Sequence, residues 1–381
     1  MASAASTVRQ ALGAAAARLP ELFAPGTRLV VGFSGGQDSS CLLHALSRPR
    51  LRLAVVAAHV DHALRPDSAA AAARVEAAAA AIGVACQVRR VDVPGYRAGL
   101  PAWGVQQAAR AARYHALVGV TREHDAAALL VAHTADDQAE TLLLNLLRGS
   151  GLTGLGGMPL DETLDPGRLG PPPQALSART GGVRLARPLL RVSRATTLAY
   201  CAEAGLTVIE DASNQSRDFA RNRVRLDLLP ALEGYNPAIR DVLARTADLV
   251  AEDLAALEAV VEGLYAGVVR GGGRGQDAGQ ASSAAEVVEL DLAVFRGQPR
   301  GLQRRLLRRA LRSLLGSLVD VRASPIEDAL DLIRCGTPSQ TYHLPHGVEL
   351  CIGSETFLLR MHGKARHRTR RNTWDSQVPR L

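Results

Sequence analysis

The chain contains the stretch Val30-Val31-Gly32-Phe33-Ser34-Gly35-Gly36-Gln37-Asp38-Ser39-Ser40, in which an apolar run leads into a loop with two adjacent glycines. Leu42, Leu43 and Leu46 follow at helical spacing, so the stretch predicts a buried strand, a tight loop and then a helix. Glycine lets the backbone approach an anion closely, and the N–H groups at a helix N-terminus favour negative charge. The stretch therefore predicts a phosphate-binding loop, and the alternative is an ordinary glycine turn with a serine cap.

This loop differs from a Walker loop because it lacks a lysine followed by serine or threonine. It resembles the pyrophosphate loop, SGGxDS, of the N-type ATP pyrophosphatases. The resemblance implies that the chain binds ATP, transfers AMP to a substrate oxygen and releases pyrophosphate. The residues that it assigns to ATP are Ser34, Gly35, Gly36, Gln37, Asp38 and Ser39. The loop indicates this superfamily but leaves the substrate open.

Short apolar runs alternate with longer helical stretches between about residues 29 and 211. This alternation predicts an α/β fold with a mostly parallel, doubly wound sheet, and the loop is typical of the Rossmann-like PP-loop ATPases. The predicted strands are Leu29–Phe33, Leu53–His59, Cys86–Val93 and Ala128–His133, and the predicted helices are Asp67–Ile82, Trp103–Arg122 and Ala135–Leu147. The segment Asp161–Gly182, interrupted by prolines and glycines, indicates a surface loop. Ligands of such sheets bind at the carboxyl ends of the strands, where the polar motifs lie.

The pattern changes after Pro230, where helices alone are indicated until a final hairpin. Predicted here are helices at Pro237–Glu262, Gly297–Leu318 and Ser324–Arg334, a Gly/Ser-rich linker at Gly271–Ala285 and a hairpin at Gly347–Leu359. We therefore predict a catalytic domain over residues 1–225, a smaller, mainly helical domain over residues 226–361 and a basic, unstructured tail over residues 362–381.

The chain has 381 residues and a net charge of +8, and 47% of its residues are hydrophobic, enough for a sizeable core. Such a charge suits a polyanionic partner, although an arginine-rich composition alone would also produce it. Clustering favours the partner, because several arginines of one predicted helix share a face. The candidate contacts with a phosphate backbone are Arg304, Arg305, Arg308, Arg309 and Arg148, the last of which could equally be a surface arginine that closes a helix.

Cysteine spacing and hydropathy predict a cytoplasmic protein. The five cysteines are widely spaced, without a CxxC pair. This argues against a zinc ribbon, an iron–sulfur site or a disulfide scaffold, and it favours a reducing compartment. The sequence contains neither a signal-peptide pattern nor an apolar run long enough for a membrane span.

Two histidines flank an aspartate at the end of the second predicted strand, in His59-Val60-Asp61-His62-Ala63-Leu64-Arg65-Pro66-Asp67-Ser68. A proline at a helix start and the capping residues after it explain part of this segment without any function. The density of polar groups favours a functional role, and we predict that His59 and Asp61 lie near the nucleotide.

A third motif, Ala132-His133-Thr134-Ala135-Asp136-Asp137-Gln138-Ala139-Glu140-Thr141, follows the fourth predicted strand. If Thr134 caps the next helix, Asp137 falls at its third position and completes a capping arrangement. Carboxylates at a helix start also stabilise the helix dipole, which is the alternative to a functional role. Asp137 and Glu140 share one helix face, however, and acids beside His133 at this sheet edge indicate a site for Mg²⁺ or an ammonium group. We therefore predict an acidic pocket.

Together these motifs resemble the tRNA(Ile)-lysidine synthase family. The matching segments cover about Val30–Leu232 in order, and they are SGGQDS, HVDHALRPDS, AARAARYHAL, AHTADDQAETLLLNLLRGSGLTGLGGM, RPLL and EDASNQSRDFARNRVR. One departure is HVDH in place of the more usual HVNH, which adds a charge near the nucleotide.

The resemblance implies a ligase that forms a C–N bond. ATP would adenylate O2 of the wobble cytidine in a tRNA(Ile) with a CAU anticodon, and the side-chain amine of L-lysine would then displace AMP at C2. By analogy, Asp38 would place Mg²⁺, and Asp137 and Glu140 would hold lysine. His133 and Arg113 would lie near the cytidine and its activating phosphate. The C-terminal arginines would contact the tRNA, and a second copy of the chain, as a homodimer, is a further candidate partner.

Three alternatives stay open at this point. A tRNA thiolase of the same superfamily generally needs paired or catalytic cysteines, and an amide-forming synthetase needs a glutaminase-like segment with an N-terminal nucleophilic cysteine. The sequence shows neither feature. An RNA-binding protein with an inactive ATP loop predicts loss of Asp38 or of the acids in Asp136–Glu140, and all of these are present.

Overall fold

The computed structural model describes residues 3–64, 67–173, 182–209, 217, 219–271, 287–316 and 323–361. The chain divides into two compact units, Met1–Glu252 and Asp253–Leu381. The predicted tail over residues 362–381, nearly all of the predicted linker and the Arg65-Pro66 step lie outside the described residues.

A six-stranded sheet organises the first unit. Its strands are β1 (Arg28–Gly32), β2 (Ala54–Asp61), β3 (Cys86–Arg90), β4 (Ala128–Leu130), β5 (Asp161–Leu164) and β6 (Val183–Ala186). Their order across the sheet is β3-β2-β1-β4-β6-β5. All neighbours pair in parallel except the edge strand β5, which runs antiparallel to β6. The predicted, mostly parallel sheet is therefore confirmed.

Helices cover both faces of this sheet. The helices in this part of the chain are α1 (Ala4–Arg18), α2 (Gln37–Leu46), α3 (Ser68–Ala81), α4 (Val93–Ala98), α5 (Val105–Glu123), α6 (Ala135–Leu147), α7 (Leu152–Leu155), α8 (Arg194–Glu203), α9 (Ala220–Arg223) and α10 (Leu229–Glu233), with a π-helical turn at Val224–Leu228. Leu29 and Val31 of β1 pack in a cluster with α1, α2 and α8, whereas Val30 packs in a second cluster with α5. Strands that are apolar on both sides need this double cover, which confirms the doubly wound fold.

The prediction of a surface loop over Asp161–Gly182 is wrong for its first four residues. Asp161–Leu164 forms β5 and pairs with β6 from Asp161↔Ala186 to Leu164↔Val183. The pattern missed both strands because each has only four residues, too few to show a clear alternation. Residues 174–181 lie outside the described part of the chain.

The polar motifs lie at the carboxyl ends of the parallel strands. Gly32 ends β1 just before the glycine loop, Asp61 ends β2, Leu130 ends β4 and Ala186 ends β6. Strands β1 and β4 are neighbours in the sheet, so the order of the strands reverses at this pair. Ligands of open parallel sheets bind in the crevice at such a switch point. The topology therefore brings the loop and the start of α6 to one edge.

A five-stranded antiparallel sheet organises the second unit. The elements beyond α10 are α11 (Ile239–Val268), β7 (Val269–Gly271), β8 (Val287–Asp291), α12 (Leu292–Arg296), α13 (Arg300–Leu315), α14 (Ala323–Cys335), β9 (Thr341–Leu344), β10 (Val348–Ile352) and β11 (Thr356–Met361). The sheet order is β7-β8-β11-β10-β9, and the Phe295 and Phe357 rings meet edge to face in its core at 4.9 Å. The predicted hairpin is confirmed as β10–β11, but three further strands flank it. In the described ranges, no helix has the length and apolar character to span a bilayer.

The predicted boundary between residues 225 and 226 stays a prediction. The two compact units divide later, at Glu252. Leu229 and Leu243 pack with Ala139 and Leu143 of α6, so the first residues beyond 226 share the core of the first unit.

Leu130 is completely buried in β4, at the centre of the sheet. Leu130→Ala should lower the free energy of unfolding by about 2–5 kcal/mol, because it removes apolar contacts and leaves a cavity. Leu249→Ala, where the side chain is 57% exposed, should change it by less than about 0.5 kcal/mol. Thermal denaturation measures both, and equal losses in the two variants would contradict the central place of β4.

Candidate active site

The loop after β1 makes a tight turn at Gly35. Its φ of +78° lies in the left-handed region that favours glycine. A Cβ atom at this position would lie 2.8 Å from Cδ1 of Ile209. The Ile209 N–H donates to the Gly35 carbonyl at 2.9 Å, so the segment after α8 lies directly on the loop. Any larger residue at position 35 must displace the loop or Ile209.

The N-terminus of α2 has no side-chain cap. The hydroxyls of the loop hydrogen-bond within the loop: Ser39 Oγ donates to the Gly36 carbonyl at 3.0 Å and lies 3.2 Å from Ser34 Oγ. Nε2 of Gln37 donates to the Arg194 carbonyl at 2.9 Å and to Thr197 Oγ1 at 3.3 Å, so both of its hydrogens are used within the protein. A helix start without a side-chain cap, preceded by a glycine loop, can accept the oxygens of a phosphate.

Asp38 lies against α8. Thr197 donates its hydroxyl hydrogen to Oδ1 of Asp38, and Arg194 donates from Nε to Oδ2 at 3.3 Å. Burial raises the pKa of Asp38, and the bonds from Thr197 and Arg194 offset part of that rise. A carboxylate offers about four acceptor positions, so Asp38 keeps the capacity to contact a cation.

The polar residues near the end of β2, His59 and Asp61, form hydrogen bonds with the protein itself. His59 donates from Nδ1 to the Phe33 carbonyl at 2.9 Å and so ties β2 to the loop. Asp61 is buried and accepts from the Ala63 N–H at 2.9 Å and from Ser68 Oγ at 3.3 Å. Both residues shape the backbone here, and their predicted place beside a nucleotide stays a prediction.

Helix α6 begins with the capping arrangement that the sequence predicts. The N–H and the hydroxyl of Thr134 both donate to Oδ2 of Asp137 at 2.9 Å. Asp136, Asp137 and Glu140 are all buried. Buried carboxylates need ionic partners, because transfer from water is costly for a charge.

Four arginines supply these partners. Arg194, Arg221 and Arg225 pair with Asp137 and Glu140, and Arg240 pairs with Asp136. Arg194 also pairs with Asp38 and Arg240 with Glu233, so among the described residues these four guanidinium groups pair with five carboxylates. The acidic pocket that the sequence predicts is therefore balanced by arginines.

Glu140 accepts all four of its hydrogen bonds from arginines of this cluster, and its exposed fraction is 0%. Its Oε1 accepts from Nε of Arg225 at 2.6 Å and from Nη1 of Arg194 at 3.3 Å. Its Oε2 accepts from Nε of Arg221 at 2.7 Å and from Nη2 of Arg225 at 3.1 Å. Together these bonds use the acceptor capacity of the carboxylate. Glu140 anchors three arginines, and its predicted contact with lysine stays a prediction.

Sequence reasoning missed the arginines as partners of the acids. Arg221 and Arg225 stand four residues apart, which is a signal for one helix face, and the buried acids demand cations. No comparable signal marks Arg194 or Arg240, because only the tertiary fold brings them to α6.

His133, just beyond β4, faces cations as well as Asp137. Nε of the buried Arg187 donates to Nδ1 of His133 at 3.2 Å. Burial, with smaller contributions from Arg187 and Arg221, lowers the pKa of His133 to about 3 against the opposing effect of Asp137. His133 is therefore neutral at pH 7, and because Nδ1 accepts a bond, the ring proton lies on Nε2.

Arg113 of α5 stands close to the same cluster. Burial lowers the pKa of its guanidinium, and Arg110 and Arg221 add to this effect. Its guanidinium carbon lies 5.3 Å from the centre of the Tyr114 ring. Among the residues that the structure describes, no carboxylate pairs with Arg113.

Comparison with known proteins now identifies the family. A family model described as a PP-loop domain matches residues 7–232. A tRNA(Ile)-lysidine synthase from Salinispora tropica is 44% identical over 257 residues, which are 66% of this chain and 70% of that protein. The chain belongs to the tRNA(Ile)-lysidine synthase family. A relative of the same name from Burkholderia mallei is 40% identical over 67% of this chain but only 49% of its own length, so the chain spans about half of that relative.

A solved structure of the U34-tRNA thiolase NcsA from Methanococcus maripaludis, with its [4Fe-4S] cluster, also resembles the chain. It has 17% sequence identity and a TM-score of 0.49, and the match covers 65% of this chain and 79% of the thiolase. A similarity this low decides nothing about function.

The arginines that the lysidine synthase resemblance assigns to tRNA are largely paired within the second unit. The pairs are Arg304–Glu327, Arg305–Glu258 and Arg309–Glu262. Burial lowers the pKa of Arg308, as do Arg312 and Arg305. Arg148 is exposed at the C-terminal end of α6. Most of these arginines therefore also have a structural role.

The residues present suit a Mg²⁺ ion that is shared with ATP, but not one held by protein alone. In the described ranges no group of three or more His, Cys, Asp or Glu side chains could hold a metal. Mg²⁺ in nucleotide sites commonly takes one or two carboxylates, with phosphates and water completing its shell. The unused acceptor positions of Asp38 meet that need.

Asp137 should make the stability of the folded protein fall at acidic pH. Burial acts to raise the pKa of Asp137, but Arg194 and Arg221 outweigh it and hold the pKa at about 2, below the usual 3.8. A depressed pKa stabilises the fold above the unfolded value, and this stability is lost as pH falls through the folded value. Asp137→Asn should therefore lower the Tm at pH 7 and flatten its fall between about pH 4 and pH 2.

Thermal denaturation across this pH range tests the expectation. Asp227→Asn serves as the control, because Asp227 is 49% exposed and pairs with the exposed Arg217. Its curve should parallel that of the wild type. If the pH dependence of the Tm of Asp137→Asn also parallels that of the wild type, the pKa of Asp137 is not depressed in the folded protein.

Proposed function

We propose that the chain uses ATP to join L-lysine to C2 of the wobble cytidine in a tRNA(Ile) with a CAU anticodon, forming lysidine. One observation carries this proposal. The glycine loop and the uncapped start of α2 are joined through Asp38 and Arg194 to the carboxylate–arginine cluster of α6, in a chain 44% identical to a tRNA(Ile)-lysidine synthase.

The loop would act in the first step, adenylation. O2 of the cytidine attacks the α-phosphorus of ATP, and the bond to the leaving pyrophosphate breaks with its electron pair. Backbone N–H groups of the Ser34–Ser39 loop would hold the pyrophosphate, because its negative charge grows as the bond breaks. Those of Ser34 and Gly36 already donate to Ser39 Oγ and Ser34 Oγ, so the other N–H groups of the loop would serve first. Mg²⁺, when bound, supplies further neutralisation of the phosphates, and Asp38 would hold it. Arg113, which lacks a carboxylate partner in the described residues, would contact the phosphate that activates the base.

Positioning would suffice for the second step. The bound lysine ammonium group would first release one proton to solvent. The resulting neutral amine attacks C2 of the cationic adenylated base, and AMP departs with the electron pair of the C2–O2 bond, which leaves protonated lysidine. The adenylated base is already an electrophile, so no covalent enzyme nucleophile is needed. His133 would donate from Nε2 to the substrate rather than take up the amine proton, because its pKa of about 3 makes it a weak base.

Lysine would bind at Asp137 and Glu140 by exchange with a guanidinium. Glu140 has no acceptor position left for an incoming ammonium group. Arg225 is the partner that we expect to leave, because it contacts both oxygens of Glu140 and frees one position on each. Arg194 is less free to leave, since its backbone N–H also donates to Asp136 at 2.8 Å.

Arg225→Gln should therefore strengthen lysine binding. The expected result is a KM for lysine lower by about threefold or more, because the amine no longer competes with a bidentate guanidinium. The Tm should fall at the same time, since Glu140 loses two charge-assisted bonds. Arg217→Gln is the matched control, because Arg217 is 67% exposed and pairs only with Asp227 in the described residues. An unchanged or raised KM in Arg225→Gln would show that Arg225 does not compete with lysine.

The three cysteine thiols of the first unit argue against the alternative of a tRNA thiolase. Burial raises the pKa of Cys86 and of Cys201 to about 11. It also raises the pKa of Cys41 well above its usual value. The thiolate is the reactive form of cysteine, and such pKa values leave almost none at pH 7. The three thiols fit a packing role.

Contact with tRNA would fall to the second unit and to Arg148. The carboxylates that pair with Arg304, Arg305 and Arg309 would give way to phosphates, which release counterions on binding. ATP, lysine and tRNA occur together in the cytoplasm, so we propose that location. A homodimer stays a prediction.

Lysine transfer is the direct test of the proposed function. Purified protein is incubated with ATP, labelled lysine and tRNA(Ile) transcripts that differ only in the anticodon. We expect lysine in the CAU transcript alone, with one pyrophosphate released for each lysine added. No transfer, or equal transfer to a transcript without CAU, would refute the proposal.

A further inference from the structure

One side-chain atom stands out in the described part of the chain. Nδ1 of His62 is buried without a hydrogen-bond partner, and no other side-chain nitrogen or oxygen there shares this condition. The neighbouring polar residues of the motif, His59 and Asp61, are both satisfied by bonds within the protein. Buried polar atoms are nearly always paired, so each exception points to a missing partner.

The surroundings of the His62 side chain are polar. The electrostatic neighbours of His62 are Arg113, His59 and Asp61. Burial lowers the pKa of His62 to about 4, and Arg113 and His59 contribute to this shift while Asp61 opposes it. The imidazole is therefore neutral at pH 7 and offers one N–H and one lone pair. It suits a neutral polar group rather than an anion.

Arg113 supplies the complementary half of this site. It has a cationic head without a carboxylate partner in the described ranges. A ligand that meets both needs places a neutral hydrogen-bonding edge beside an anionic oxygen. A nucleobase that carries an activating phosphate has this combination of groups.

The position of Arg113 indicates which nucleobase this is. The charge of Arg113 acts on His62 and also on His133, so Arg113 lies near both of them. His133 in turn faces Asp137 of the cluster proposed for lysine. A base that receives first the α-phosphate and then the amine must lie between the phosphate loop and this cluster. The adenine of ATP has no need to reach the amine.

We propose that His62 contacts the edge of the acceptor nucleobase through Nδ1, next to an anionic oxygen on Arg113. The proposal rests on the proposed function and adds to it a residue that positions the base. A buried nitrogen without a partner weakens the free protein, and the substrate would remove that penalty on binding.

Two substitutions at position 62 separate this role from a structural one. His62→Leu keeps a similar volume and removes the unpaired atom, so its Tm should equal or exceed that of the wild type. Its kcat/KM for the tRNA transcript should fall by about tenfold or more. His62→Asn places an amide near the position of Nδ1 and should recover most of that loss. Affinity for ATP without tRNA should stay unchanged in both variants.

His124→Leu is the matched control, because His124 follows α5 and its carbonyl accepts from Arg28 at the opposite end of β1. It should leave transfer unchanged. Full activity in His62→Leu, or a parallel loss of Tm and activity without recovery in His62→Asn, overturns the proposal. A loss of ATP affinity equal to the loss of transfer assigns the site to adenine and overturns the acceptor-base assignment. A wild-type protein that transfers no lysine at all refutes the proposed function instead.

Discussion

The buried charge of Glu140 is the constraint on which the site depends. A carboxylate with no exposed surface is stable only when its oxygens are fully paired, and three guanidinium groups from different segments provide this pairing. Arg194 comes from α8, Arg221 from α9 and Arg225 from the π-helical turn that follows. One side chain on α6 thereby holds α8 and the continuous helical stretch formed by α9 and the π-helical turn, two segments that are separate in sequence.

Arg194 links this cluster to the phosphate loop. It contacts Asp38 at the start of α2 and Asp137 and Glu140 at the start of α6. The same helix, α8, holds Gln37 through the Arg194 carbonyl, and the segment after it lies on Gly35 through Ile209. Adenylation and amine transfer need ATP and lysine in a fixed relation, and α8 spans the distance between their predicted sites.

The balance of charges changes what the acids of α6 can do. Free carboxylates would attract any cation, whereas carboxylates that are already paired with guanidinium groups admit an amine only by exchange. In the proposed function, such exchange would make lysine binding a competition inside the protein, and the displaced arginine would be free to contact the phosphate of the activated base. The pairing would also avoid an unpaired negative charge beside the polyphosphate.

The sequence by itself determined the parallel sheet, the glycine loop and the capping box on Thr134, because each depends on local spacing or on continuous apolar runs, and its motifs carried the resemblance to the family. The sequence pattern did not predict short strands such as β5 and β6, because their stability comes from the strands with which they pair and not from their own pattern. Only the tertiary structure decided that Asp137 and Glu140 are neutralised, that His59 and Asp61 are internally satisfied, and that Nδ1 of His62 is not. The physical reason is that pairing and burial are properties of residues far apart in the chain, which meet only when the carboxyl ends of the strands converge.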